Sequence, residues 1–315
     1  MIWDLKGSLM SIKSRAAGLF KNTGFILALA FAIGLALPRG AARTEMLITP
    51  LLAMIITLSI MGVSLKIFFD FKNAVRPVAI SLLLNYAILS LTIIGLANLL
   101  IADSELRTGL ILLAAVPPAI AVIPFTYRLD GDVTFSLLGT VAAYIAALFL
   151  TPLISINFLG TNVIQPTKLL ITLAELIAIP LGIAQILRRT GAARRIEKYR
   201  GSIVNWSFFV VIYTIVGLNQ SAFLEQPLVL LRLALVAFIS IFVLGWLTDR
   251  IARARGSSKE RRISMILTVT RKNYGLAASL ALALFSPRAA LPSAMATIFA
   301  IGHFIWLSLR VKKMS

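Results

Sequence analysis

The chain is 315 residues long, 59% hydrophobic and only 14% charged, with a net charge of +19 and no cysteine. A hydrophobic share well above the ~45–50% of soluble domains marks an integral membrane protein. The missing cysteine excludes disulfides, thiolate metal sites and cysteine nucleophiles, and the single histidine, His303, is too few for a histidine metal cluster.

The first 20 residues carry Lys6, Lys13 and Arg15, with Lys21 just beyond. No small-residue cleavage site followed by a soluble domain appears, so this stretch is expected to be a cytoplasmic amphipathic lead and not a removed signal. Ten runs, free or nearly free of charge, then follow at 22–38, 46–65, 77–102, 108–127, 133–155, 166–187, 201–221, 226–248, 263–287 and 289–309. Most approach the ~20 residues that cross a ~30 Å hydrocarbon core as a helix. The connections are brief, leaving no room for an inserted soluble domain.

Several runs carry polar residues. Asn85 and Tyr86 in the third, Asn205 in the seventh and His303 in the tenth are explained by interhelical hydrogen bonds. The fourth contains Pro117, Pro118 and Pro124, which remove backbone donors from an apolar segment, with the hydroxyls of Thr126 and Tyr127 close by. Asp130-Gly131-Asp132 has turn chemistry. Gly139, Ala142 and Ala143 in the fifth run favour close helix packing. The sixth holds Glu175, the one carboxylate well inside a run. The ninth is interrupted by Thr268-Val269-Thr270-Arg271-Lys272-Asn273-Tyr274-Gly275. At ~1.5 Å per residue Lys272 lies roughly 15 Å from the start of that run, near mid-membrane, where snorkelling hardly reaches. Ionisable groups at such depth mark functional sites.

Basic residues set the orientation. With the N-terminus inside, 23 Lys and Arg fall in inside segments and 6 outside, while Arg271 and Lys272 remain within the ninth run. This split puts both termini in the cytoplasm and the protein in the cell inner (cytoplasmic) membrane, and it explains the net charge without nucleic acid. Ten spans divide into two inverted sets of five, 1–157 and 158–315. The interrupted fourth and ninth spans are the fourth members of each set, an arrangement that points to a binding site at broken helices.

Residues 114–132 read Ala-Ala-Val-Pro-Pro-Ala-Ile-Ala-Val-Ile-Pro-Phe-Thr-Tyr-Arg-Leu-Asp-Gly-Asp, followed by Leu-Thr-Pro at 150–152. The ninth run reads Lys-Asn-Tyr-Gly-Leu-Ala-Ala from Lys272, then Phe-Ser-Pro-Arg-Ala-Ala-Leu-Pro from Phe285. This pattern resembles the bile acid:sodium symporter family, within a wider group that includes arsenite exporters. The resemblance implies an all-α, ten-helix carrier. Spans one, two, six and seven would form a panel domain and the other six a core. Spans four and nine would be broken and would cross near mid-membrane. Family members move organic anions, often with sodium. In sodium-coupled relatives span nine supplies a Glu and a Gln as ion ligands, and these places align with Thr268 and Lys272 here. A span-four Asn ligand aligns near Ile123, which has no donor oxygen. The cysteine of the arsenite exporters has no counterpart.

Lys272 therefore has two roles open to it. It is a proton carrier replacing sodium, or a permanent ammonium paired with a carboxylate. Arg271 suits a substrate anion, or locks onto freed carbonyls of span four. Successive residues on a helix point roughly 100° apart, so only one of the two faces the substrate. Glu175 is a candidate partner for either cation or a proton carrier itself. Thr126, Thr268 and Thr270 are candidate ligands, although hydroxyls in helices more often bond within their own helix. With Asn273 and the three prolines these make up the candidate substrate and ion site. The expected protein is a secondary-active transporter of a small organic anion in a lipid bilayer, a monomer or loose homodimer, with no cofactor and with sodium or proton coupling unresolved. The alternative is a proton-coupled or uncoupled exporter, or a channel, for a small solute. No Walker, H-E-x-x-H or G-x-S-x-G motif supports an enzyme. A lipid-acting enzyme would need paired acids, and Glu175 is solitary.

Overall fold

The computed structural model describes residues 23–61, 71–160 and 165–312. The basic lead at 1–20, and Lys66, lie outside them. Every regular element among the described residues is a helix. In chain order these are α1 (Thr23–Ala36), α2 (Pro38–Ile60), α3 (71–100), α4 (Ser104–Ala115), α5 (Val122–Arg128), α6 (Val133–Leu159), α7 (Pro166–Arg189), α8 (Ala192–Leu218), α9 (Gln220–Glu225), α10 (Pro227–Ala254), α11 (Lys259–Val269), α12 (Tyr274–Leu284) and α13 (Pro287–Lys312). Seven of them, α2, α3, α6, α7, α8, α10 and α13, are long and apolar enough to cross a membrane. The chain is thus a multi-pass membrane protein.

The remaining expected spans take a different form. The run at 22–38 yields a helix of 14 residues. The fourth and ninth runs each divide into two shorter helices, α4 with α5 and α11 with α12. The cause of the first division is local. Pro117 and Pro118 lack the N–H groups a continuing helix would direct at the carbonyls of Leu113 and Ala114. Val116, preceding a proline, takes an extended conformation at φ −74°, ψ 158°. Pro124 falls in the first turn of α5, where a missing N–H costs nothing. The second division is closed off by Asn273, whose Oδ1 accepts the Leu276 N–H at 3.0 Å and caps α12.

The Asp130-Gly131-Asp132 turn forms as expected. Asp130 adopts a positive φ of 54°, and Asp132 caps α6 and pairs with Arg261 at 3.0 Å. Three helices widen into π turns, at Leu83–Leu89 in α3, Ala174–Ala178 in α7 and Ile239–Val243 in α10.

Helices α1, α2, α7 and α8 pack on one another. Helices α3 to α6 and α10 to α13 make a second set of mutual contacts. Gly139 and Gly109 permit the tightest approaches within that second set. A Cβ at Gly139 of α6 would lie 2.0 Å from Ser81 Oγ of α3, and one at Gly109 of α4 would lie 2.0 Å from the Ala289 carbonyl oxygen of α13. Backbone cannot rotate aside as a side chain can. Gly109→Ala is therefore expected to lower stability by about 1–3 kcal/mol or more, as overpacked interiors do. Gly95→Ala, with open space at its Cβ position, is expected to be neutral or mildly stabilising. Thermal unfolding of both variants in detergent checks the contrast.

Candidate functional site

The two breaks meet. The Asn273 N–H donates to the Pro117 carbonyl at 2.8 Å, joining the residue that starts α12 to the first proline after α4. Around this contact three carbonyls at the end of α4 find side-chain donors. Ser90 Oγ donates to Ala114 at 2.7 Å, Thr151 Oγ1 to Ala115 at 2.9 Å, and Lys272 Nζ to Val116 at 2.9 Å. Buried carbonyls left unpaired would each cost about 1–3 kcal/mol, so these donors hold the break open.

Lys272 is 1% exposed. Its ammonium has two further acceptors, Asn85 Oδ1 at 2.8 Å and Ser90 Oγ at 3.0 Å, and lies 4.6 Å from the centre of the Tyr86 ring. The three protons of an ammonium thus meet three oxygens and an aromatic face. Asn85 and Ser90 reach the same point because α3 widens there. In the π turn the Ser90 N–H bonds the Asn85 carbonyl five residues back, which sets side chains five apart on one face. Asn85 Nδ2 in turn donates to the carbonyls of Thr268 and Arg271, both at 3.0 Å, and so ties α3 to the end of α11.

Arg271 turns the other way. Its Nη1 donates to the Ala300 carbonyl of α13, and its Nη2 lies 3.4 Å from His303 Nδ1. Of the two roles open to Arg271, the lock onto carbonyls of span four is replaced by a lock onto the tenth expected span, because its side chain leaves the break toward α13 while that of Lys272 points to α3 and the end of α4. Asn273 Nδ2 donates to the Tyr144 hydroxyl of α6 at 2.6 Å.

The candidate hydroxyls stay within or close to their own helices. Thr126 Oγ1 donates to Val122 and pairs with Ser136 Oγ, Thr268 donates to Ser264, and Thr270 donates to Ile266. Thr268 and Thr270 are buried beside the break, whereas Tyr127 is exposed. Glu175 lies in the π turn of α7 and is exposed. No ion pair among the described residues joins it to Lys272 or Arg271. Structure thus gathers Pro117, Lys272 and Asn273 into one hydrogen-bonded knot, with Pro118 in the same interruption and Arg271 anchored behind it, and leaves Glu175 apart. Ser90 and Tyr144 join the knot without having drawn notice in the sequence, and Thr151 joins it from the Leu-Thr-Pro motif. A short apolar void of about 10 Å³, roughly one water, borders it, lined by Ile60, Ile120, Ile123, Thr140, Val141, Tyr144 and Leu181.

Lys272 Nζ takes up three of the oxygens at the break, and Thr268 and Ile123 bring no carboxylate or amide. Asp249 is the one buried carboxylate among the described residues, and it is held by Arg262 at 2.6 Å and Arg310 at 2.9 Å.

A sequence model described as the Sodium Bile acid symporter family matches residues 49–224. Similar proteins include the uncharacterized sodium-dependent transporter YocS of Bacillus subtilis (strain 168), 26% identical over 241 residues, which span 74% of this chain and 73% of that one. The probable sodium/metabolite cotransporter BASS1, chloroplastic, of Oryza sativa subsp. japonica is 27% identical over 187 residues, 58% of this chain and 46% of its own length.

Proposed function

Given that the chain belongs to the sodium bile acid symporter family, a family of transporters and not of enzymes, we propose that it is a secondary transporter of a small organic anion in which the Lys272 ammonium stands where sodium-coupled relatives hold a cation. The observation that carries this is the threefold oxygen coordination of Lys272 Nζ at the meeting of two broken helices. A unit positive charge at that point supplies the field a bound cation would supply, without an ion.

The ten-span plan follows when α1 counts as the first span and each broken pair as one. The two inverted repeats are then 1–157 and 158–315, with both termini in the cytoplasm and the protein in the inner membrane as a monomer or loose homodimer. Helices α1, α2, α7 and α8 form the panel, and the rest, apart from short α9, form the core that moves against it. The mutual packing within each group supports this division. The substrate meets the core at the start of α12. Support comes from Gly275, where a Cβ would lie 2.7 Å from Leu52 of α2 and 3.4 Å from Phe208 of α8, so this helix start borders the panel. The partial positive charge of a helix N-terminus and the field of Lys272 both favour an anion there. Arg271, bonded to α13, positions the break and does not contact the substrate.

Uptake of organic anions into proteoliposomes is expected to persist when Na⁺ is replaced by K⁺ or choline. A strict Na⁺ requirement overturns the replacement of the ion by Lys272 and leaves the carrier assignment standing.

A further inference from the structure

The hydrogen-bond directions around Lys272 decide more than the place of a charge. Val116 offers a carbonyl, which only accepts. Asn85 has no choice of orientation, because its Nδ2 faces two carbonyls, those of Thr268 and Arg271, and its Oδ1 must therefore face Lys272. Ser90 has one proton and two carbonyls to receive it, Ala114 at 2.7 Å and Asn85 at 3.1 Å, so a lone pair is left toward Lys272. Three acceptors are aimed at Nζ. A neutral amine has only two N–H groups and would turn its own lone pair on one of the three. Ser90 relieves that only by abandoning both carbonyls. Burial alone favours the neutral amine, but here it is opposed by three directed acceptors and by the face of Tyr86.

Resting on the proposed role of Lys272, we infer that its ammonium keeps its proton through the transport cycle, so that this carrier is coupled to neither proton nor sodium and moves a monoanion electrogenically. Lys272 travels out and back with the core and contributes no net charge per cycle. One substrate monoanion crosses with one negative charge, and a cell interior at negative potential drives it outward. Among the described residues near Lys272, no other group offers a substitute route. Around Lys272 the titratable neighbours are Tyr86, facing it with its ring, and Arg271; Tyr144 and Tyr274 lie one contact further off, on Asn273 and Thr270. His303 is beyond Arg271, with Nδ1 toward the guanidinium. Asp249, the buried carboxylate, is neutralised by arginines. Glu175 is exposed on α7.

Nitrogen-15 NMR of the full chain labelled at lysine side chains reads the charge on Nζ directly. Lys272 is assigned by the signal lost in Lys272→Met or, should that variant not fold, in Lys272→Arg. An ammonium signal persisting from about pH 5 to about pH 9 is expected; conversion to a free amine within that range overturns the inference. In proteoliposomes with K⁺ and valinomycin, labelled pyruvate, 2-oxoisovalerate and cholate are the probes. An inside-positive potential of about 100 mV, ~2.3 kcal/mol per charge, is expected to raise equilibrium accumulation of a transported monoanion about 50-fold. Accumulation driven by a pH or Na⁺ gradient at zero potential overturns it. If none of the three anions moves, the NMR result alone decides. A titrating lysine whose loss still abolishes transport sinks only this inference, whereas transport unaltered in Lys272→Met sinks the proposed site.

Discussion

Replacing Lys272 by methionine is expected to reduce transport by on the order of 100-fold or more, the equivalent of losing ~2.7 kcal/mol from the rate-limiting barrier. Methionine has nearly the length of lysine and keeps the apolar contacts of the stem. It leaves Asn85 Oδ1, Ser90 Oγ and the Val116 carbonyl facing a thioether. Each buried acceptor without a donor costs about 1–3 kcal/mol, so the variant is also expected to melt earlier. Arginine is not a conservative replacement there. Three oxygens around a point charge match a tetrahedral ammonium, and a planar guanidinium needs a wider, flat arrangement. Transport measured per folded protein, with folding followed by size-exclusion chromatography and thermal unfolding, separates the two effects. Unaltered transport in Lys272→Met would show the site to lie elsewhere.

The largest stability loss is expected from Asp249→Ala, about 3–5 kcal/mol. Asp249 is 1% exposed. Its Oδ1 accepts from Arg262 Nε at 2.8 Å and Nη2 at 2.6 Å, and its Oδ2 accepts from Arg310 Nη2 at 2.9 Å. One carboxylate thereby pins together α10, α11 and α13, and α11 leads directly into the break that carries Lys272. Alanine leaves the Arg262 guanidinium, itself only 9% exposed, without a counter-charge. Such a group is costly because its desolvation is no longer offset. Asp249→Asn keeps an acceptor and is expected to lose less. The exposed pair Glu197–Arg200 is the control. With its side chains 55% and 33% exposed, Glu197→Ala is expected to change stability by less than about 1 kcal/mol. Thermal unfolding in detergent at matched pH and ionic strength orders the three variants.

The broken helices were legible in the chain alone. Pro117 and Pro118 announced a broken helix because the missing donor is a property of the residue itself. Lys272 stood out by its depth in an apolar run, and it is buried at the break. Less was legible where partners come from elsewhere in the chain. Arg271 was read as a substrate-anion contact or a lock onto carbonyls of span four, and it holds Ala300. Asn85 looked like an ordinary interhelical hydrogen bond, yet it bonds Lys272, Thr268 and Arg271 together. Its pairing with Ser90 was hidden because residues five apart share a face only where a helix widens to a π turn, and no residue in Leu83–Leu89 announces one. Glu175 stood out as a lone carboxylate in an apolar run, but a run long enough to span has an outward face as well as an inward one, and Glu175 is exposed.

By itself, then, the order of residues determined the solvent this protein lives in, the places where its helices fail, and the presence of a cation deep in one of those failures. These depend on composition and on backbone donors, which are set residue by residue. Only the tertiary structure decided what that cation touches. Lys272 bonds Asn85, Ser90 and Val116 across 187, 182 and 156 residues of chain. Contacts at such separations are fixed by which helices pack side by side, and that choice is made by the summed fit of many apolar surfaces, legible in no short stretch of the chain.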